Sequence, residues 1–158
     1  VLSWEQNGYM FTAPSGTGKS THAMLWKKYL GNKVQIINGD KPILAVDEGK
    51  IRAYGTPWAG KEGWQMNTCV TLKGICFLNQ GKENRIRMLT PQEVLPWLIG
   101  QIHFTDNPDQ AGKIMGLLDC LLQNVPIYEL KCNISEDAVR CSFEMLTGDR
   151  YCADAKER

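Results

Sequence analysis

Ala13-Pro14-Ser15-Gly16-Thr17-Gly18-Lys19-Ser20 is the stretch on which the reading of this chain turns. It has the spacing x-x-x-x-Gly-Lys-Ser/Thr of a Walker A loop, with Ala13 at the position of the usual first glycine. Gly16 and Gly18 allow backbone angles that aim successive N–H groups at one anion. A helix starting near Lys19 adds the positive end of its dipole. Lys19 supplies a point charge for outer phosphates, and the Ser20 hydroxyl is a ligand for Mg²⁺. Ala13 is small enough to keep the turn tight. Ala13, Pro14, Ser15, Gly16, Thr17, Gly18, Lys19, Ser20 and the following Thr21 are therefore the candidate nucleotide-binding residues.

The flanks agree with this reading. Residues 8–12 are short, apolar and followed by the glycine turn, which predicts a buried strand. Residues 19–30 place Ala23, Leu25, Trp26 and Leu30 at helical spacing and stop at Gly31-Asn32. Residues 34–37 form a β-branched strand that runs into Asn38-Gly39-Asp40, and an acid there sits beside the loop at the carboxyl end of an open α/β sheet. Asp40 is the second candidate, as a metal ligand and catalytic group.

Farther along, residues 42–46 and 50–54 flank Asp47-Glu48-Gly49, a hairpin signature. Residues 55–67 carry glycine, proline, two tryptophans and charges with no period, which predicts a long loop with a functional role. In it Lys61 is placed to meet a transferring phosphoryl group, Glu62 to act as a base or a supporting acid, and Trp58 to wall the pocket; the alternative is a structural turn with its tryptophans on the core. Strands at 70–78 and 85–89, joined by 79–84, predict another hairpin. Thr90-Pro91-Gln92-Glu93 predicts a helix start, with the helix running to about 102. A helix over 110–123, a strand over 127–130 and a last helix from about 135 to Gly148 complete the chain. His22 is expected to be a solvent-facing or hydrogen-bonded helix histidine, a nucleotide contact being the alternative, and His103 is expected to be structural at a helix end.

Composition narrows the function. In 158 residues, 43% hydrophobic and 22% charged content is globular, and 18 Lys+Arg against 17 Asp+Glu leave a formal charge of +1. Such a balance lacks the basic excess that nucleic-acid binding needs. No apolar run approaches the ~18 residues of a membrane span. The six cysteines show no C-x-x-C pair, so they are read as free thiols in a reducing, cytoplasmic setting. No linker divides the chain, and residues 1–158 are expected to form one α/β domain with a mixed sheet, hairpins and flanking helices. Because it opens at Val1, its natural start is expected upstream.

Ser15-Gly16-Thr17-Gly18-Lys19-Ser20 with an acid at a strand end about twenty residues later resembles the HPr serine kinase/phosphorylase and phosphoenolpyruvate carboxykinase superfamily. With Gly55-Thr56-Pro57-Trp58-Ala59-Gly60-Lys61, it is similar to the small bacterial HPr-kinase-like proteins. The resemblance implies a P-loop core with a mixed sheet, with Lys19 and Ser20 as the phosphate-binding lysine and metal-binding hydroxyl. It also implies a tandem Asp-Asp at the strand end. If the tandem falls on Gly39-Asp40, Asp40 is the metal-side acid and Gly39 replaces the other; if on Asp40-Lys41, the second acid is lost.

Together these imply an ATP- and Mg²⁺-dependent kinase using Lys19, Asp40 and Lys61, with Ser20 and Asp40 at the metal. The acceptor is a hydroxyl of a protein, peptide or small molecule, and self-association is left open. The alternative is a nucleotide-binding regulatory domain with weak or no turnover.

Overall fold

A twelve-residue strand organises the sheet. In the computed structural model, which describes residues 1–100 and 106–152, β1 (Leu2–Trp4) and β2 (Asn7–Thr12) form a hairpin through Glu5 and Gln6, both at positive φ. The helix α1 (Lys19–Leu30) follows, then β3 (Val34–Ile36) and the hairpin β4 (Ile43–Asp47) and β5 (Lys50–Tyr54). The long strand β6 (Cys69–Gln80) precedes β7 (Arg85–Met88), α2 (Pro91–Ile99), α3 (Pro108–Asn124), β8 (Ile127–Cys132) and α4 (Glu136–Thr147). The order β3-β1-β2-β6-β5-β4 runs across one mixed sheet, with β8 on β6 and β7 on β8.

The strand β6 explains this branching. It pairs parallel with β2 along one edge; the other edge takes β5 near Cys69–Thr71 and β8 from Ile75 onward. Its residues from Gly74 to Leu78 are buried on both faces, as in a central strand covered by helices on either side.

One expectation is corrected here: β6 and β7 do not form a hairpin. The apolar β8 inserts between them, parallel to β6 and antiparallel to β7. β7, with Arg85, Arg87 and Met88 exposed, suits the sheet's edge. A strand at 2–4, unmarked in the sequence, is also present, pairing β2 on one side and β3 on the other.

The sheet carries helices on both faces. Because side chains alternate along a strand, Cys76 and Leu78 of β6 join Trp26, Leu30, Phe143 and Leu146 beneath α1 and α4. Ile75 and Phe77 join Val94, Leu98, Leu118 and Leu121 beneath α2 and α3. Trp26 is fully buried, within ring contact of Tyr9, Phe11 and Phe143, and cutting it to alanine is expected to cost about 3–5 kcal/mol.

Local signals set the helix ends. Thr90 and Glu93 form the expected capping box of α2, and Ser135 and left-handed Gly148 bound α4. The helix α2 stops at Ile99, capped by Gly100, short of the expected end at about 102, and His103 lies outside the described residues. All six cysteines are free thiols. Among the described residues, no helix is long and apolar enough to cross a membrane.

Candidate functional site

β2 ends at Thr12, and the chain turns through Ala13–Gly18 into α1. Gly16 at φ 81° and Gly18 at φ 110° lie in the left-handed region that side chains avoid, which is why glycines stand there. Gly18 caps α1 without a side chain, so no side-chain acceptor at that position competes for the first amides of the helix. The Lys19 ammonium donates to the carbonyls of Ala13 at 2.7 Å and Pro14 at 3.2 Å. Thr17 closes the turn from the other side, its hydroxyl donating to Pro14 O at 2.9 Å, and Gln80 at the end of β6 donates to Thr17 O at 3.3 Å. The loop is thus held by its own cation and by the neighbouring strand.

A cleft of about 770 Å³ opens beside this loop, lined by Ala13, Ser15, Lys19 and Ser20 together with Asn38, Gly39, Asp40, Lys41 and Trp64. It sits at the carboxyl ends of β2 and β3, which run in the same direction as β6. Ligands of open α/β sheets gather in such a crevice. Ser20 and Asp40, 20 residues apart in sequence, line the same space. Pro14, Gly16, Thr17, Gly18 and Thr21 do not line the cleft, which meets the loop at Ala13, Ser15, Lys19 and Ser20.

Asp40 is held by a residue that the sequence did not single out. Asn38 is completely buried. Its Oδ1 accepts the Asp40 N–H at 3.0 Å, and its Nδ2 donates to Thr56 O and Thr56 Oγ1, both at 3.1 Å, and to Trp58 O at 3.3 Å. Thr56 in turn donates its hydroxyl to Lys41 O at 2.6 Å. A side-chain amide has two donors and an oxygen acceptor in one plane, and here all are used. The legible signal was an Asn two residues before an Asp at a strand end, the pattern of an Asx turn.

The 55–67 segment is a loop, as expected, and backbone hydrogen bonds hold its ends. Gly39 N–H donates to Trp64 O at 2.9 Å, Met66 N–H to Ile37 O at 3.0 Å and Gly55 N–H to Thr68 O at 3.0 Å. Its two ends are stitched to the segment after β3, leaving residues 60–63 as an exposed apex. Lys61 and Glu62 lie on that apex, and Lys61 does not line the cleft. The wall is Trp64 rather than Trp58, which is 59% exposed.

Gly39 carries the decisive steric fact. A Cβ there would lie 2.8 Å from the Ala59 carbonyl oxygen and 3.4 Å from Trp64 Cβ. The backbone of the loop occupies the space into which an acid at position 39 would grow.

His22 belongs to the core. Its Nε2 lies 3.0 Å from Ser142 Oγ, which also accepts the Trp26 indole N–H at 2.9 Å, and its ring meets Phe11 edge-on. Burial pushes its pKa down to about 4. This is the hydrogen-bonded arrangement, reached across the α1–α4 contact rather than within one helix. Among the described residues, no cluster of three His, Cys, Asp or Glu is positioned to hold a metal ion. Ser20 and Asp40 offer two hard oxygen donors, a set that fits a Mg²⁺ ion completed by phosphate and water oxygens.

Compared with known proteins, the chain matches no family model, no curated protein and no solved structure.

Proposed function

We propose that the chain is an ATP-dependent phosphotransferase of the HPr-kinase-like kind, moving the γ-phosphoryl group to a hydroxyl acceptor. The observation that carries this reading is the convergence of Lys19, Ser20 and Asp40 on one cleft at the carboxyl ends of parallel strands. The loop amides and the start of α1 bind the phosphate chain, and Lys19 leaves its two carbonyl partners to meet the outer phosphates. Ser20 and Asp40 would hold Mg²⁺, which neutralises charge on the phosphate oxygens. Phosphoryl transfer passes through a loose transition state that asks mainly for positioning and charge, so a single acid suffices in principle. Lys61 enters only if the apex of its loop moves toward the cleft.

The second reading, a nucleotide-binding regulatory domain of weak turnover, is favoured by Gly39. If the tandem of the superfamily pattern falls on Gly39-Asp40, a side chain in place of the missing acid would meet the Ala59 carbonyl. Incubation with γ-labelled ATP and Mg²⁺, with and without cell extract, separates the two. Label transferred to an acceptor supports the kinase, and tight binding without transfer or hydrolysis supports the regulator.

A further inference from the structure

We infer that the acceptor hydroxyl is borne on an apolar body, an aliphatic or aromatic alcohol, seated in the inner end of the cleft; this rests on the phosphotransferase reading above. From its polar mouth at Lys19, Ser20 and Asp40 the cleft continues over the sheet to Met10 of β2, Leu44 of β4, Phe77 of β6, Leu98 of α2, and Leu118 and Leu121 of α3. All six belong to the apolar cluster beneath α2 and α3. None carries a strong hydrogen-bond donor or acceptor.

The position of this chamber selects the acceptor rather than the nucleoside. Of the loop, the cleft takes in Ala13, Ser15, Lys19 and Ser20 and leaves out Pro14, Gly16, Thr17, Gly18 and Thr21; Lys19 and Ser20 are the residues that serve the outer phosphates and the metal. What lies beyond these residues faces the γ-phosphorus from the side opposite the nucleoside. A polyol or a charged peptide there would shed water from groups that find no partner on these walls, whereas an alkyl or aryl group loses nothing. In such pockets a single methylene changes discrimination by roughly 10- to 200-fold. In the transfer, the alcohol oxygen bonds to the γ-phosphorus as the bridging β–γ P–O bond breaks. The nucleoside diphosphate leaves with that electron pair, and the hydroxyl proton passes to water at the cleft mouth.

The test uses the full chain with ATP and Mg²⁺. Nucleotide affinity is measured first by calorimetry, then ADP release and product mass are followed with 1-octanol, 2-phenylethanol, glycerol and a hydrophilic serine peptide. The expected result is ADP release at least tenfold faster with 1-octanol or 2-phenylethanol than with glycerol or the peptide, with the alkyl or aryl phosphate as product. Met10→Gln and Leu44→Gln, at two half-buried positions, are expected to raise the KM for the alcohol at least tenfold, with ATP affinity as the check on folding. Equal or faster release with glycerol or the peptide overturns the inference. ATP binding with no phosphorylated alcohol also overturns it and leaves the nucleotide site standing, whereas absent ATP binding removes the phosphotransferase reading itself.

Discussion

The Asp40 backbone N–H donates to Asn38 Oδ1 at 3.0 Å, while the amide nitrogen of the same Asn38 reaches Thr56 and Trp58. One buried side chain thus fastens the cleft's carboxylate and the long loop together. Asn38→Ala strands the Thr56 and Trp58 carbonyls and the Asp40 amide, each a polar group whose burial without a partner is costly. Its expected cost is about 2–4 kcal/mol, read by urea denaturation, with Mg²⁺-dependent nucleotide affinity falling more than metal-free affinity.

Gly39→Asp, which would write the tandem acid into the chain, is expected to lose stability rather than gain activity. The new Cβ would meet Ala59 O at 2.8 Å, and relieving that contact requires moving backbone, at a cost of about 1–3 kcal/mol. Thermal unfolding and labelled-ATP turnover measure the two effects. Faster transfer at unchanged stability would mean the loop yields freely at this point.

Lys19→Ala is expected to abolish measurable nucleotide binding while leaving the melting temperature near that of the parent, since its ammonium bonds only the carbonyls of its own loop. Asp40→Asn keeps shape and removes a hard anionic oxygen, so it should weaken ATP affinity in Mg²⁺ far more than in chelator. Calorimetry under both conditions reads each variant. Equal losses with and without metal would make Asp40 structural.

His22 gives the fold a dependence on pH. Its folded pKa of about 4 lies below the ordinary 6.5 because burial penalises the imidazolium. The unfolded chain therefore binds a proton that the folded chain refuses. Its stability is fully present above pH 6.5, falls as pH drops through the window from 6.5 to 4, and changes no further below it. Between pH 7.5 and 5 the loss is expected to be about 2 kcal/mol. His22→Gln, compared by urea denaturation at both pH values, should show a flatter profile; an unchanged slope would place the titration elsewhere.

Hydrogen exchange should divide the 55–67 loop. The amides of Gly39, Gly55 and Met66, which donate to backbone carbonyls, are expected to be protected in the free protein, and those of residues 60–63 to exchange rapidly. Addition of ATP and Mg²⁺ should slow exchange at the apex if Lys61 swings toward the phosphates. No change there would leave Lys61 a surface charge, with Lys61→Ala silent in turnover.

What could be read directly from the chain was local. The turn from β2 into α1, the ends of α1 and α4, the Thr90–Glu93 capping box and the Glu48-Gly49 hairpin all depend on backbone angles and neighbours within a few residues. The Walker A spacing belongs to the same class, because a phosphate cradle is built from consecutive amides. The placement of β8 between β6 and β7, the burial of His22 against Ser142 and the grip of Asn38 on Thr56 depended instead on the tertiary structure. Their partners lie 18 to 120 residues apart, and which of them meet is decided by the need to cover both faces and both edges of β6. The same long-range packing fills the space beside Gly39 and opens an apolar chamber behind Lys19, because a cleft is what several distant elements leave between them and no short stretch of sequence encodes it.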